Sequence, residues 1–157
     1  MEEALVIKKI KEKGLTIALA ESCTGGLVCG ALTSVPGSSE CFGYGVVTYS
    51  NEAKNKLLNV PWEVLEKYGA VSRETAILMA QGVRLLAKSD IGLSITGIAG
   101  PAGGSIEKPV GLVYLALAHR TDCICEKFNF QGNREEIRQA TVRQAFNMIW
   151  QYGVLAL

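Results

Sequence analysis

A chain of 157 residues, 48% hydrophobic and 20% charged, has the composition of one folded domain with a sizeable core, not of a disordered segment. Sixteen Lys and Arg against fifteen Asp and Glu leave a formal net charge of +1, so no bulk field draws the chain to nucleic acid or an acidic membrane surface. No run approaches the roughly 18 uninterrupted apolar residues of a membrane span, and the N-terminus lacks the apolar stretch of a signal peptide.

The first element, MEEALVIKKIKEKG, sets Leu5, Ile7 and Ile10 among charges and reads as an amphipathic helix ended by Gly14. LTIALA (15–20) is a short buried strand entering the turn ESCTGG, and GLVCGALTSV (26–35) is a helix stopped by Pro36-Gly37. GYGVVTYSNEAK (43–54) begins as a strand and breaks at Thr48. Asn51 predicts a helix N-cap there, with Lys54 near the third helical position and the helix ending about Leu58. PWEVLEKYG has Pro at a helix start and Gly after its end. Ser72 caps a longer helix, about 73–88, with Ala76, Met79, Ala80, Val83 and Ala87 on one stripe. IGLSITG (91–97) is a second buried strand. A long loop, IAGPAGGSIEKPVG, then leads to LVYLALAH and CICEKFNF, two strands joined as a hairpin around Arg120-Thr121-Asp122. Asn133 and Glu136 make a capping-box pattern at the head of a last helix reaching about Tyr152. The alternation predicts an α/β fold: a single-domain layered sandwich over 1–157, with a mixed sheet and helices on both faces. Strand order is not legible.

The cysteines, Cys23, Cys29, Cys41, Cys123 and Cys125, are odd in number and read as reduced thiols of a cytoplasmic protein. Cys123-x-Cys125 has no second pair at zinc spacing and reads as core. One histidine, His119, excludes a histidine-rich metal site, and nothing around it resembles a Ser-His-Asp arrangement. Glu21, Glu40 and Glu52 share no liganding pattern, so no metal is expected.

Ligands of layered α/β proteins favour the loops at strand C-terminal ends. Glu21–Thr24, Tyr49–Asn51 with Lys54, Thr96-Gly97 with its Gly-rich tail, and Gly132–Arg134 concentrate polar residues at such exits. Lys54 stands at the positive end of a helix dipole, where neutrality is favoured, and a neutral lysine can activate a serine without histidine. Tyr49 is placed to orient it. Candidate nucleophiles are Ser22, Ser38, Ser39, Ser50 and Cys23. Ser39 lies in a tight turn whose N–H groups suit an oxyanion, and Ser22 lies between a strand and a helix start, a place suited to a polar or anionic ligand. The loop 97–111 is neither a Walker A loop nor a dinucleotide fingerprint; its glycines suit close backbone approach to a phosphate or ribose, and Arg134 suits a phosphate.

Taken together, AESCTGG, PGSS, VTYSNEAK, GAVS, SITGIAGPAGGSIEKPVG and GNR before a long helix resemble the C-terminal domain of the competence/damage-inducible protein CinA, over about residues 4–152. The resemblance implies an amidohydrolase that converts nicotinamide mononucleotide to nicotinic acid mononucleotide and ammonia in pyridine nucleotide salvage, with no metal or organic cofactor. It implies Ser39 as nucleophile, with Ser22 as the rival, Lys54 as base and Tyr49 in support. Ser22, Thr24, Thr96, Gly97, Gly100, Gly103, Gly104 and Arg134 would form the substrate pocket. It also suggests a homodimer, for which apolar surface on the first helix offers a contact, and a stand-alone domain without the N-terminal domain many members carry. Where members often read Gly-Asp-Arg, this chain has Gly132-Asn133-Arg134. The competing expectations are a nucleotide-binding or interaction domain without catalysis and a cysteine amidase using Cys23.

Overall fold

A computed structural model describes residues 2–156. Its elements are α1 (Glu3–Glu12), β1 (Ile17–Glu21), α2 (Leu27–Thr33), β2 (Phe42–Val47), α3 (Asn51–Leu58), α4 (Trp62–Tyr68), α5 (Arg73–Ala87), β3 (Ile91–Gly97), β4 (Leu112–Ala118), β5 (Cys123–Asn129) and α6 (Arg134–Met148), with a 3₁₀ turn at Ser38–Glu40 and a π-helical continuation, Ile149–Val154. The five strands form one sheet in the order β2-β1-β3-β4-β5. β1 pairs in parallel with β2 and β3, whereas β3–β4 and β4–β5 are antiparallel, so the sheet is mixed as expected.

Side-chain alternation sorts the two faces. Ile17 and Leu19 of β1, Ile91, Leu93 and Ile95 of β3, and Val113, Leu115 and Leu117 of β4 point into the larger core, closed by α1, α2 and α6. The opposite face is built from small residues: Ala18 and Ala20, Gly92 and Ser94, Ala116 and Ala118. That flat surface lets α5 lie close. Ala76 and Ala80 pack on Ala116 and Ala118, the Ser94 hydroxyl donates to the Ala76 carbonyl at 2.6 Å, and a Cβ on Gly92 would collide with the Ala80 carbonyl oxygen.

Two local readings shift. Ser50, not Asn51, caps α3: its hydroxyl accepts the Ala53 N–H at 3.0 Å, which makes Lys54 the fourth helical residue. Val6, Ile7 and Ile10 of α1 are buried in the core and Leu5 stays exposed, so the apolar surface expected on this helix is reduced to Leu5. Ser72 and the Asn133–Glu136 capping box sit where expected.

The topology creates the crevice. From β1 the chain crosses to β2 on one side, and from β2 it returns past β1 to β3 on the other, so the loops after β1 and β3 diverge. The C-terminal ends of β1, β2, β3 and β5 and the start of β4 share this edge of the sheet. Three of the four polar exits picked from the sequence directly follow β1, β2 and β3, and the fourth leads from β5 into α6.

Candidate active site

β1 ends in Glu21, whose side chain is fully buried. Its carboxylate accepts the N–H groups of Gly26 (3.0 Å), Val28 (3.2 Å) and Cys29 (2.7 Å), and so caps the N-terminus of α2. An anionic side chain thus occupies the helix end that the sequence offered to an external anion. Ser22 follows; its N–H continues the sheet to Ile95 O at 3.0 Å, and its carbonyl accepts Gly25 N–H at 3.0 Å. The Ser22 hydroxyl is left at the crevice floor.

Lys54 reaches that floor from the neighbouring strand exit. It is 1% exposed, and its Nζ donates to Thr48 O (2.8 Å), Ser22 Oγ (3.2 Å) and Tyr49 O (3.3 Å). All three acceptors are uncharged. Burial pushes the ammonium down from 10.5 to about 8, with the nearby Cys23 working weakly the other way. Desolvation, rather than the helix field alone, is the principal cause.

Ser22, Cys23, Tyr49 and Lys54 line a cavity of about 260 Å³, together with Ala70 and Val71 after α4. Thr96, Gly97, Gly100, Gly103 and Arg134 complete the expected part of its wall. The Thr96 hydroxyl is already committed, donating to Ala70 O at 2.7 Å and tying the 69–72 loop to the sheet. Gly100, at φ +77°, brings its carbonyl to Arg134, whose Nη1 donates to it at 2.8 Å. Arg134 Nη2 lies 3.4 Å from the Tyr49 hydroxyl, which accepts. Tyr49 is 62% exposed, so it meets Lys54 through its carbonyl while its phenol stands at the rim.

Three expected site residues lie elsewhere. Ser39 is exposed in the 3₁₀ turn before β2 and lines a different cavity with Thr16 and Ser89. The six residues of β2 separate it from Lys54 by roughly 20 Å. The serine beside Lys54 is Ser22, not Ser39, so the expected pairing of Ser39 with Lys54 is not formed. Thr24 is fully buried behind the turn and does not reach the cavity. Gly104 lies outside the lining, where a Cβ would press on the Val110 backbone. The sequence alone assigns no task to Glu21; an acid between a buried strand and Gly25-Gly26 is the signal for the cap it makes on α2. Burial pushes the Cys23 thiol up to about 11, which keeps it neutral. Among the described residues no three His, Cys, Asp or Glu side chains gather as a metal-binding group, and no helix is long and apolar enough to cross a membrane.

A profile of the CinA C-terminal domain matches residues 1–152. The chain belongs to the CinA C-terminal domain family. A CinA-like protein of Geobacter sp. is 54% identical over 143 residues, which cover 91% of this chain and 34% of that protein. One from Geobacter sulfurreducens is 52% identical over 147 residues, 94% of this chain and 36% of its own. The chain thus spans about a third of the length of these curated relatives. Among solved structures, the competence/damage-inducible protein CihA of Agrobacterium tumefaciens superposes with a TM-score of 0.94 at 44% identity, covering 96% of this chain and 93% of that one. A CinA superfamily protein of Klebsiella pneumoniae gives 0.92 at 33% identity, covering 96% and 94%. The layered α/β architecture is that of the CinA superfamily.

Proposed function

We propose that this domain is an amidohydrolase in which Ser22 is the nucleophile and Lys54 the general base, acting on the carboxamide of nicotinamide mononucleotide. The observation that carries the reading is the 3.2 Å contact between Lys54 Nζ and Ser22 Oγ at the floor of the cavity, made by a lysine whose pKa burial lowers to about 8. A module that only bound nucleotides would have no use for a lysine desolvated against a serine.

In the proposed reaction neutral Lys54 takes the Ser22 hydroxyl proton as Oγ bonds to the carboxamide carbon. The oxyanion falls to the backbone N–H of Cys23, which lines the cavity and is not taken by the Glu21 carboxylate. Lys54 then passes its proton to the nitrogen, the C–N bond breaks and ammonia leaves. Water, deprotonated by Lys54, attacks the Ser22 ester, and the proton returns to Oγ as the nicotinic acid product departs. The ring end lies at Ser22, and the phosphate lies toward Arg134, the cation at the rim, which also borders an adjoining apolar cavity of about 590 Å³. The chemistry is complete without an organic cofactor or metal.

The test is ammonia release from nicotinamide mononucleotide. Ser22→Ala and Lys54→Ala are expected to lose at least about 10³-fold in kcat/KM, and Ser39→Ala to stay within about twofold of the wild type. Loss in Ser39→Ala with activity kept in Ser22→Ala would reverse the assignment. Binding of the nucleotide without ammonia release would favour the non-catalytic alternative.

A further inference from the structure

Arg138 lies one turn beyond Arg134 on α6, behind the turn that carries Ser22. Its Nη2 donates to Thr24 O at 3.0 Å, and its Nη1 lies 3.4 Å from Glu135 Oε2. The same Thr24 oxygen accepts Leu27 N–H at 3.3 Å, and the N–H of the same peptide unit, from Gly25, donates to Ser22 O at 3.0 Å. The Thr24–Gly25 peptide is therefore pinned at both ends. From the other side Glu21 holds the N–H groups of Gly26, Val28 and Cys29. An anion grips the turn by its donors and a cation by its acceptor, and Ser22 projects from between them.

Arg138 pairs with Glu135 yet extends its guanidinium to the positive end of α2, where the backbone field opposes a cation. Its Nε is buried without a partner among the described residues, and so is the hydroxyl of Thr24, the residue it grips. Buried polar atoms are ordinarily paired, and two orphans beside a reactive serine mark a place where geometry is held at the expense of satisfaction. Arg138 does not line the cavity.

We propose that Arg138 is a positioning residue: its guanidinium fixes the Thr24–Gly25 peptide so that Ser22 Oγ stays against Lys54 Nζ and the N–H of Cys23 faces the developing oxyanion. The proposal rests on the reading of Ser22 as nucleophile. A planar fork reaching both Thr24 O and Glu135 is needed, and an ammonium at the same site reproduces the charge without the geometry.

Arg138→Lys and Arg138→Gln are compared with the wild type and Ser22→Ala in two assays: steady-state ammonia release from nicotinamide mononucleotide, and the rate of Ser22 labelling by a fluorophosphonate, followed by mass spectrometry. Both variants are expected to lose about 10- to 100-fold in kcat with KM within about threefold, and to label more slowly in the same proportion. The apparent ionisation near pH 8 and the unfolding midpoint of Arg138→Lys stay at their wild-type values. Wild-type kcat and labelling in both variants would overturn the proposal. So would a KM effect larger than the kcat effect, which would make Arg138 a substrate contact, or losses matched by the unfolded fraction at the assay temperature, which would make it structural. Wild-type protein that labels at Ser22 yet releases no ammonia would refute the substrate alone and leave the labelling comparison decisive. Wild-type protein that does not label at Ser22 would refute the nucleophile, and this proposal with it.

Discussion

At the scale of single residues, the charge state of Lys54 decides what the crevice can do. With a pKa of about 8 it is about one-tenth neutral at pH 7. Only the neutral form accepts the Ser22 proton, so kcat/KM should climb nearly tenfold per pH unit below 8 and level off above it. A pH–rate profile flat from 6 to 9 would remove lysine as the base. Glu21 is the complementary case, a carboxylate spent on structure. Glu21→Ala orphans three N–H groups in the first turn of α2 and should cost on the order of 3 kcal/mol, read from denaturant midpoints. Lys54 was legible because its sequence position is electrostatically awkward. Ser22 and Ser39 are alike in type, each in a turn beside a strand; chain order separates them, because Ser22 follows β1 whereas Ser39 precedes β2 and so falls at the opposite edge of the sheet.

At the scale of elements, local chemistry was enough to name nearly every helix and strand, because their caps and breakers act within a few residues. Ser72 accepting Thr75 N–H and Asn133 accepting Glu136 N–H are such signals. What stayed hidden depends on distant partners. The strand order needs β1 to meet β3 some seventy residues on, as in the Thr16 hydroxyl donating to Asp90 at 2.8 Å. The small-residue face beneath α5 also looked like ordinary apolar strand until its partner was placed. Its tightness is testable: Gly92→Ala drives a methyl into the Ala80 carbonyl and the backbone of Arg84, and should destabilise by about 1–3 kcal/mol or more. An unchanged unfolding midpoint would mean that α5 is not seated so closely. Activity at low temperature should survive that change, since Gly92 lies at the far end of β3 from Thr96.

At the scale of the whole molecule, the buried titratable groups pull stability in opposite directions with pH. The folded pKa of Lys54 lies below its unfolded value, so below about 8 both states hold the proton and folding carries the whole penalty of the buried ammonium. Between about 8 and 10.5 the folded state gives up its proton first, and stability gains on the order of 3 kcal/mol. The thiols do the reverse: burial pushes Cys23, Cys123 and Cys125 up to about 11 from 9.0, so their contribution is intact below about 9 and is lost as the pH rises toward 11. Comparing wild type with Lys54→Met isolates the lysine. Their difference in unfolding free energy should shift in favour of the wild type from pH 8 to 10.5, and a constant difference would contradict the desolvated lysine.

The direction of the strands has a practical consequence. Every group placed in the crevice stands at one edge of the sheet, while the β4–β5 turn, closed by His119 N–H donating to Asp122 O at 2.8 Å, stands at the other. The seven residues of β4 put roughly 20 Å between them. Exposed Arg120 and Thr121 are thus a permissive splice point. A peptide tag or a dye-bearing cysteine could be grafted there to immobilise or report on the domain while leaving its working end untouched.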